Sequence, residues 1–330
     1  MKNHLIKKIH IKDFKCFDDF KAEGFARVNL ICGKNNVGKT AFMEACYINC
    51  SSTNLKKFLD SLTAIKLMRE NLNLLSNVDL LKSTERMRDL LQKYMEQSNN
   101  IFAKTNINKI NFYIEEKRGV KSYCFLFYKK PLLKVNVNEF SFETEVAKNV
   151  NFIDNFGLSN NEIESGFSSV QKKDDEEYIN KVLREFDSSI DSFKIIEGLP
   201  QCKTNEEYLQ ITEFGDGVRH MISILTTLYD SENGYLFIDE IDNGIHYTAL
   251  DNVWEIILKL SEELNVQVFA TTHSKECIES FNRVQIKLKN KDSSYFELAK
   301  EKDTKKIFMS ALPPEQLEYE LSHQGKFRGE

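Results

Sequence analysis

The chain lacks any run of apolar residues long enough to cross a membrane, so no transmembrane helix is expected. Behind Met1-Lys2-Asn3-His4-Leu5 there is no apolar core of a signal peptide, and no secretory leader is expected. There is no excess of positive charge: 45 Lys and Arg face 50 Asp and Glu, a net of −5. That excludes a surface basic all over, though not a local basic patch. No C-x-x-C occurs, and the seven cysteines (Cys16, Cys32, Cys46, Cys50, Cys124, Cys202 and Cys277) are odd in number and scattered. Cys46 and Cys50 can share a helix face, but two thiols without further ligands make a weak metal site. Reduced core thiols in a cytoplasmic protein are the expectation. At 330 residues the chain can bury one large core or two.

What is present is dominated by Gly33-Lys34-Asn35-Asn36-Val37-Gly38-Lys39-Thr40, which fits the P-loop pattern G-x-x-x-x-G-K-[ST]. The apolar run Ala26 to Cys32 before it suits a buried strand, and Thr40 to Tyr47 after it has helical composition. Gly33 and Gly38 let the backbone bend closely round an anion, so that N–H groups at the positive end of a helix face phosphate oxygens. Lys39 then reaches the β- and γ-phosphates of ATP, and the Thr40 hydroxyl sits on magnesium. The competing reading is a chance glycine turn.

Lys7 to Phe17 alternates at Ile9 and Ile11 and predicts a strand with Phe14 and Phe17 packing back. Its lysines can touch phosphate, but solvated charge on an edge strand is favoured. Asn54 to Gln97 contains neither glycine nor proline. Its two apolar stripes, Leu55, Phe58, Leu59 and Leu62, then Met87, Leu90, Leu91, Tyr94 and Met95, predict two helices with a bend between Asn71 and Asp79. Such stripes are usually core; a partner or dimer surface is the alternative. From Asn108 to Glu145 the period changes to two: Ile110, Phe112 and Ile114; Tyr123, Phe125 and Phe127; Val135 and Val137; Phe140 and Phe142. This predicts an antiparallel meander whose aromatics pack the sheet and do not stack bases. Val150 to Ile153 and Phe193 to Ile196 read as strands and Asp174 to Phe186 as a helix, while the Asn- and Ser-rich stretch Asn155 to Lys173 reads as a mobile loop.

A second constellation follows. Tyr235-Leu236-Phe237-Ile238 is a buried-strand pattern that delivers Asp239 and Glu240 to its C-terminal end, where ligands bind in doubly wound sheets. Asp239 can hold magnesium and Glu240 can act as general base on the attacking water. Gln267 to Thr271 predicts another strand, and His273 just beyond it can contact the γ-phosphate. A lone histidine is otherwise an ordinary surface or core residue. Gly215-Asp216-Gly217 precedes a predicted helix from Val218 and makes another anion-ready turn, or simply a helix cap.

The order of IHIKDFKCF, GKNNVGKT, FGDGVRH, LFIDEIDNGIH and VQVFATTHSKECIESF resembles the ABC-type ATPases that include SMC-like proteins. More narrowly it resembles stand-alone AAA-type ATPases related to the overcoming-lysogenization-defect (OLD) family, with Gln316 to Gly329 similar to that family's C-terminal end. The likeness spans nearly the whole chain, but residues 51–202 match only in outline. It implies an α/β P-loop NTPase fold of ABC/SMC-head type with an antiparallel β lobe and a helical insertion. A single ATPase domain over 1–330 is expected: 1–50 holds the first strands and P-loop, 51–202 the insertion, and 203–330 the signature, Walker B, switch histidine and C-terminal end. The resemblance also implies ATP sandwiched between two heads of a homodimer or larger oligomer, with Gly215, Asp216 and Gly217 facing the partner's P-loop. Asp242, Asn243, Gly244 and His246 would then cross the interface. Glu213 and Phe214 stand where such signatures usually carry a serine, and no Q-loop glutamine is identifiable. No counterpart of the OLD nuclease domain of TOPRIM type is expected in the residues after His273. The implied role is a magnesium-dependent ATPase switch of anti-phage defence, acting with a separate nuclease or toxin effector. The alternatives are a DNA-repair ATPase with DNA as effector and a nucleotide-locked scaffold holding a toxin.

Overall fold

The computed structural model describes residues 4–74, 92, 95–96, 100–117, 120–135, 149–155 and 157–323. In chain order, β1 (Lys8–Phe14), β2 (Phe17–Glu23) and β3 (Val28–Cys32) lead into α1 (Lys39–Ser51) and α2 (Leu55–Leu74). Then come β4 (Asn100–Thr105), β5 (Lys109–Lys117), β6 (Val120–Phe127), β7 (Leu133–Val135) and β8 (Val150–Ile153). Helices α3 (Asn160–Gln171) and α4 (Glu176–Phe186) precede β9 (Ser192–Ile196), β10 (Leu199–Thr204) and β11 (Glu207–Gln210). The last third alternates α5 (Asp216–Asp230), β12 (Tyr235–Ile238), α6 (Leu250–Glu263), β13 (Gln267–Thr271) and α7 (Lys275–Lys287). It closes with β14 (Ser293–Lys300), β15 (Ile307–Leu312) and α8 (Pro314–Ser322).

The central sheet has the order β15-β14-β3-β13-β12-β8, parallel except for β15. Its inner strands are buried along their whole length, because helices or a second sheet cover both faces. That is why VNLIC, YLFI and QVFAT read as nearly continuous apolar runs and not as alternation. One face packs on α3 to α8 around Trp254, Phe281 and Leu236; the other packs on α1, α2 and the antiparallel sheet around Phe42, Phe237 and Phe269.

The antiparallel sheet has the order β2-β1-β4-β5-β6-β7. It confirms the expected meander in β5 and β6, where Phe112, Tyr123, Phe125 and Phe127 are buried. Two expectations need correction, on β1 and on the mobile loop, and one strand, β4, was not foreseen. β1 is not an edge strand, since it pairs with both β2 and β4. β4 had no counterpart in the sequence expectations, because its inward residues include the small Ala103 and a single large aliphatic, Ile101. Residues 160–171 of the expected mobile loop form α3, started by a capping box: the Ser159 hydroxyl accepts from the Glu162 N–H and the Glu162 carboxylate accepts from the Ser159 N–H. The α2 stripe is core, as such stripes usually are, and not the alternative partner surface, for Phe58, Leu59 and Leu62 are buried against the antiparallel sheet. Such burial stabilises by roughly 1.5–3 kcal/mol per large side chain. Met95 is also buried. Met87, Leu90, Leu91, Tyr94, Val137, Phe140 and Phe142 lie outside the described residues.

Candidate nucleotide site

Register sets the site. Thr271 of β13 pairs with Ile31 of β3, and Ala270 with Ile238 of β12, so the three strands end nearly level. Whatever follows Cys32, Ile238 and Thr271 is therefore gathered at one edge of the sheet. Those followers are the P-loop, the pair Asp239 and Glu240, and His273.

The P-loop turns where the sequence demands it. A side chain at Gly33 would meet the Leu298 carbonyl oxygen at 2.3 Å, and one at Gly38 the Cys16 Sγ at 2.6 Å. Gly38 also has a φ of 112°, in the region that favours glycine, and it caps α1 without any side-chain cap. The first N–H groups of α1 are thus left to the loop's concave side. Lys34, Asn35 and Asn36 are exposed along the rim, Val37 is buried beneath it, and Thr40 is half-buried on the first turn.

Lys39 is buried, and its Nζ donates to the Gly33 carbonyl at 2.8 Å, to the Lys34 carbonyl at 3.1 Å and to His273 Nδ1 at 3.3 Å. Burial lowers its pKa, opposed by Cys32, Asp239 and Glu240. His273 is lowered too, by burial first and the Lys39 charge second. A neutral ring fits the geometry: Nδ1 accepts from the Lys39 ammonium, which leaves the proton on Nε2, 3.9 Å from Glu240 Oε1. The Glu240 carboxyl is raised by burial and by Asp239 and Asp242, with Lys39 opposing.

Asp239 and Glu240 diverge for a reason other than strand alternation. β12 ends at Ile238, and Glu240 has a φ of 53°, a left-handed turn uncommon for a side chain of this kind. Thr271 holds the turn from both sides. Its hydroxyl donates to Asp239 Oδ1 at 2.6 Å and accepts from the Glu240 N–H at 2.9 Å. One residue on, the Thr272 hydroxyl donates to Asp242 Oδ1 at 2.5 Å and accepts from the Ser274 N–H at 3.0 Å. Neither threonine featured among the sequence candidates; the signal was the hydroxyl pair in Ala270-Thr271-Thr272-His273, two polar residues at the end of a buried strand. Thr40 and Asp239 supply oxygen donors suited to magnesium, and no cluster of three or more His, Cys, Asp or Glu occurs among the described residues. That fits an ion held by one carboxylate, one hydroxyl, phosphates and water.

The signature turn lies elsewhere. Gly215 has a φ of 82° and Asp216 opens α5. Among the described residues, no hydrogen bond or ion pair joins 215–217 to 33–40. Instead Gly217 packs on the loop after Glu240: a side chain there would meet the Gly244 carbonyl oxygen at 2.5 Å, and one at Gly244 the Asp216 Cβ at 2.9 Å. Arg219 donates to the Leu158 carbonyl at 2.6 and 3.2 Å, and Asn243 donates to the Asn155 carbonyl. These ties enclose a cavity of about 270 Å³ beside His220, whose pKa burial lowers to about 4. Glu213, Gly215, Asp216, Asn243, Gly244, His246 and Tyr247 form an exposed set around the turn.

Residues 203–279 match the family model described as "AAA domain, putative AbiEii toxin, Type IV TA system". That span takes in the signature turn, Asp239, Glu240 and His273. An ATP/GTP phosphatase of Helicobacter pylori is 25% identical over 335 aligned positions, covering 85% of this chain and 88% of that one. An uncharacterized protein of Methanocaldococcus jannaschii is 30% identical over 113 positions, 31% of this chain and 52% of the other. Among solved structures, an SMC head bound to the C-terminal winged-helix domain of ScpA superposes with a TM-score of 0.52 at 12% identity, covering 94% of this chain and 98% of that one. The fold is that of an SMC head, and residues 203–279 are similar to an AAA domain.

Proposed function

We propose that the chain is a magnesium-dependent ATP switch, one ATPase domain over residues 1–330, in which hydrolysis controls assembly. The observation that carries this is the gathering of Lys39, Asp239, Glu240 and His273 at the level ends of three parallel strands. Lys39 leaves the Gly33 and Lys34 carbonyls for the β- and γ-phosphates, which the α1 N-terminus also binds. Thr40 and Asp239 would hold a magnesium ion, which would supply positive charge to the leaving phosphates. Glu240 takes a proton from water as its oxygen attacks the γ-phosphorus; the bond to the β–γ bridging oxygen breaks and ADP leaves. The raised pKa of Glu240 makes it a stronger base than an exposed glutamate. His273 contacts the γ-phosphate through the Nε2–H that now faces Glu240.

The exposed signature set supports a second step, in which Gly215, Asp216 and Gly217 of one copy close on the P-loop of another. Asp242, Asn243, Gly244 and His246 lie at the same interface. The proposed setting is cytoplasmic anti-phage defence by a relative of the OLD ATPases, with a separate nuclease or toxin as effector. The family description that names a toxin favours, as a second reading, a nucleotide-locked scaffold that restrains one. Phosphate release from MgATP by the purified chain tests the switch. Glu240→Gln should slow it at least about a hundredfold, with ATP affinity changed less than about threefold. Wild-type turnover by that variant would remove Glu240 as the base.

A further inference from the structure

The outer face of the antiparallel sheet carries charge that the ATPase site does not use. Paired residues in antiparallel strands point the same way, and the register aligns Lys21 of β2, His10 of β1, Lys104 of β4 and Lys109 of β5 in one cross-strand row. At about 4.8 Å per strand, the row runs roughly 14 Å. Like charges directly opposite one another destabilise a sheet, yet among the described residues none of these three lysines forms an ion pair, and the chain as a whole is acidic. The acids nearby lie off the row. Asp19 accepts from His10 at 2.7 Å and pairs with Lys12 at 3.2 Å, and Glu23 stands opposite Lys8. A groove of about 470 Å³ opens beside Lys21, His10 and Lys104 of the row, with Lys8, Met309 and one acid, Glu23, also in its lining.

Beside the row stands Phe102, on the solvated face of β4 and only half-buried, with the His10 ring edge-on at 5.4 Å and the Lys109 ammonium 5.7 Å from its centre. Tyr113 of β5 shares that face and is likewise half-buried. The buried aromatics of β5 and β6 fill the core, so these two are the ones placed to meet a ligand. A line of cations beside exposed aromatics on a sheet face is the chemistry of single-stranded nucleic acid: ammonium groups follow the phosphates and rings take unpaired bases. We propose that this face binds a single strand of nucleic acid, with Lys21, Lys104 and Lys109 on its phosphates and Phe102 against a base. The proposal stands apart from the ATPase site, because none of these residues belongs to it.

Fluorescence anisotropy of labelled oligothymidylate with the full chain tests it. Wild type should bind, with affinity falling as salt rises by a slope of about −0.7 for each phosphate neutralised. The Lys21→Gln, Lys104→Gln, Lys109→Gln variant should bind at least tenfold more weakly with a slope about 2 units shallower. Its ATP binding should be unchanged, which shows the fold intact. Phe102→Leu, which keeps the apolar volume and removes the ring, should lose about five- to tenfold without altering the slope. No binding by wild type, or undiminished binding by the triple variant, overturns the site. Equal or tighter binding of the matching duplex overturns the assignment to a single strand.

Discussion

The P-loop edge and the signature turn are both anion-ready turns at helix starts, yet they are built differently. At the P-loop edge several side chains are tied to one another: Lys39 to His273, Thr271 to Asp239 and to the Glu240 N–H, Thr272 to Asp242. The signature turn is braced from behind by Gly244 and Leu158 and presents its own residues to solvent. One site is half-buried with its side chains bonded to one another; the other, among the described residues, forms no hydrogen bond or ion pair with the P-loop. Under the proposed function, the contrast means that the P-loop edge binds nucleotide by itself, whereas the signature turn acts only when something is brought to it. The segment 239–244 touches both, through Asp239 and Glu240 at one end and the packing of Gly244 on Gly217 at the other.

The largest effect should come from the P-loop edge. Lys39→Ala removes the buried ammonium proposed to meet the β- and γ-phosphates, so ATP binding measured by calorimetry should fall at least about a hundredfold with the circular dichroism spectrum unchanged. Normal ATP binding by the folded variant would break the first half of the comparison.

A middle-sized effect should come from the joint between the sites. Gly217→Ala forces a Cβ against the Gly244 carbonyl, so the loop after Glu240 must shift. The strain should cost about 1–3 kcal/mol of stability, read by thermal melting, and lower turnover about tenfold with ATP affinity nearly unchanged. Unchanged turnover would show the two sites to be uncoupled.

The smallest effect should come from the signature's own departure. Glu213 is exposed beside the turn and would face a partner's ATP as a like charge. Glu213→Gln should therefore tighten ATP-dependent self-association by several-fold, roughly 0.5–1 kcal/mol at such distances, and more at low salt. Weaker association would mean that Glu213 makes a favourable contact there.

Legibility followed how local each feature was. The P-loop was plain because a glycine clash, a helix start and a lysine all lie within eight contiguous residues. β12 and β13 were plain because parallel strands buried on both faces leave continuous apolar runs. β4 was missed because its inward face includes a small alanine, and α3 because Ser159 and Glu162 cap a helix inside a composition typical of loops. The threonine brace on Asp239 and Glu240 spans 31 and 32 residues of sequence. The packing of Gly217 on Gly244 joins two glycine turns that look independent. The first comes from strand register and the second from the seating of a helix start on a loop, and no single segment contains either.

The central claim is that ATP held at the P-loop edge recruits the signature turn of a second copy. Sedimentation velocity of Glu240→Gln, with and without ATP and magnesium, tests it most directly, because the blocked base lets the ATP state accumulate. The account predicts a shift from the lighter to the heavier species only with ATP and magnesium, and no shift when Lys39→Ala is added to the same chain. A species distribution identical with and without nucleotide, in a variant shown to bind ATP and not hydrolyse it, would contradict the claim.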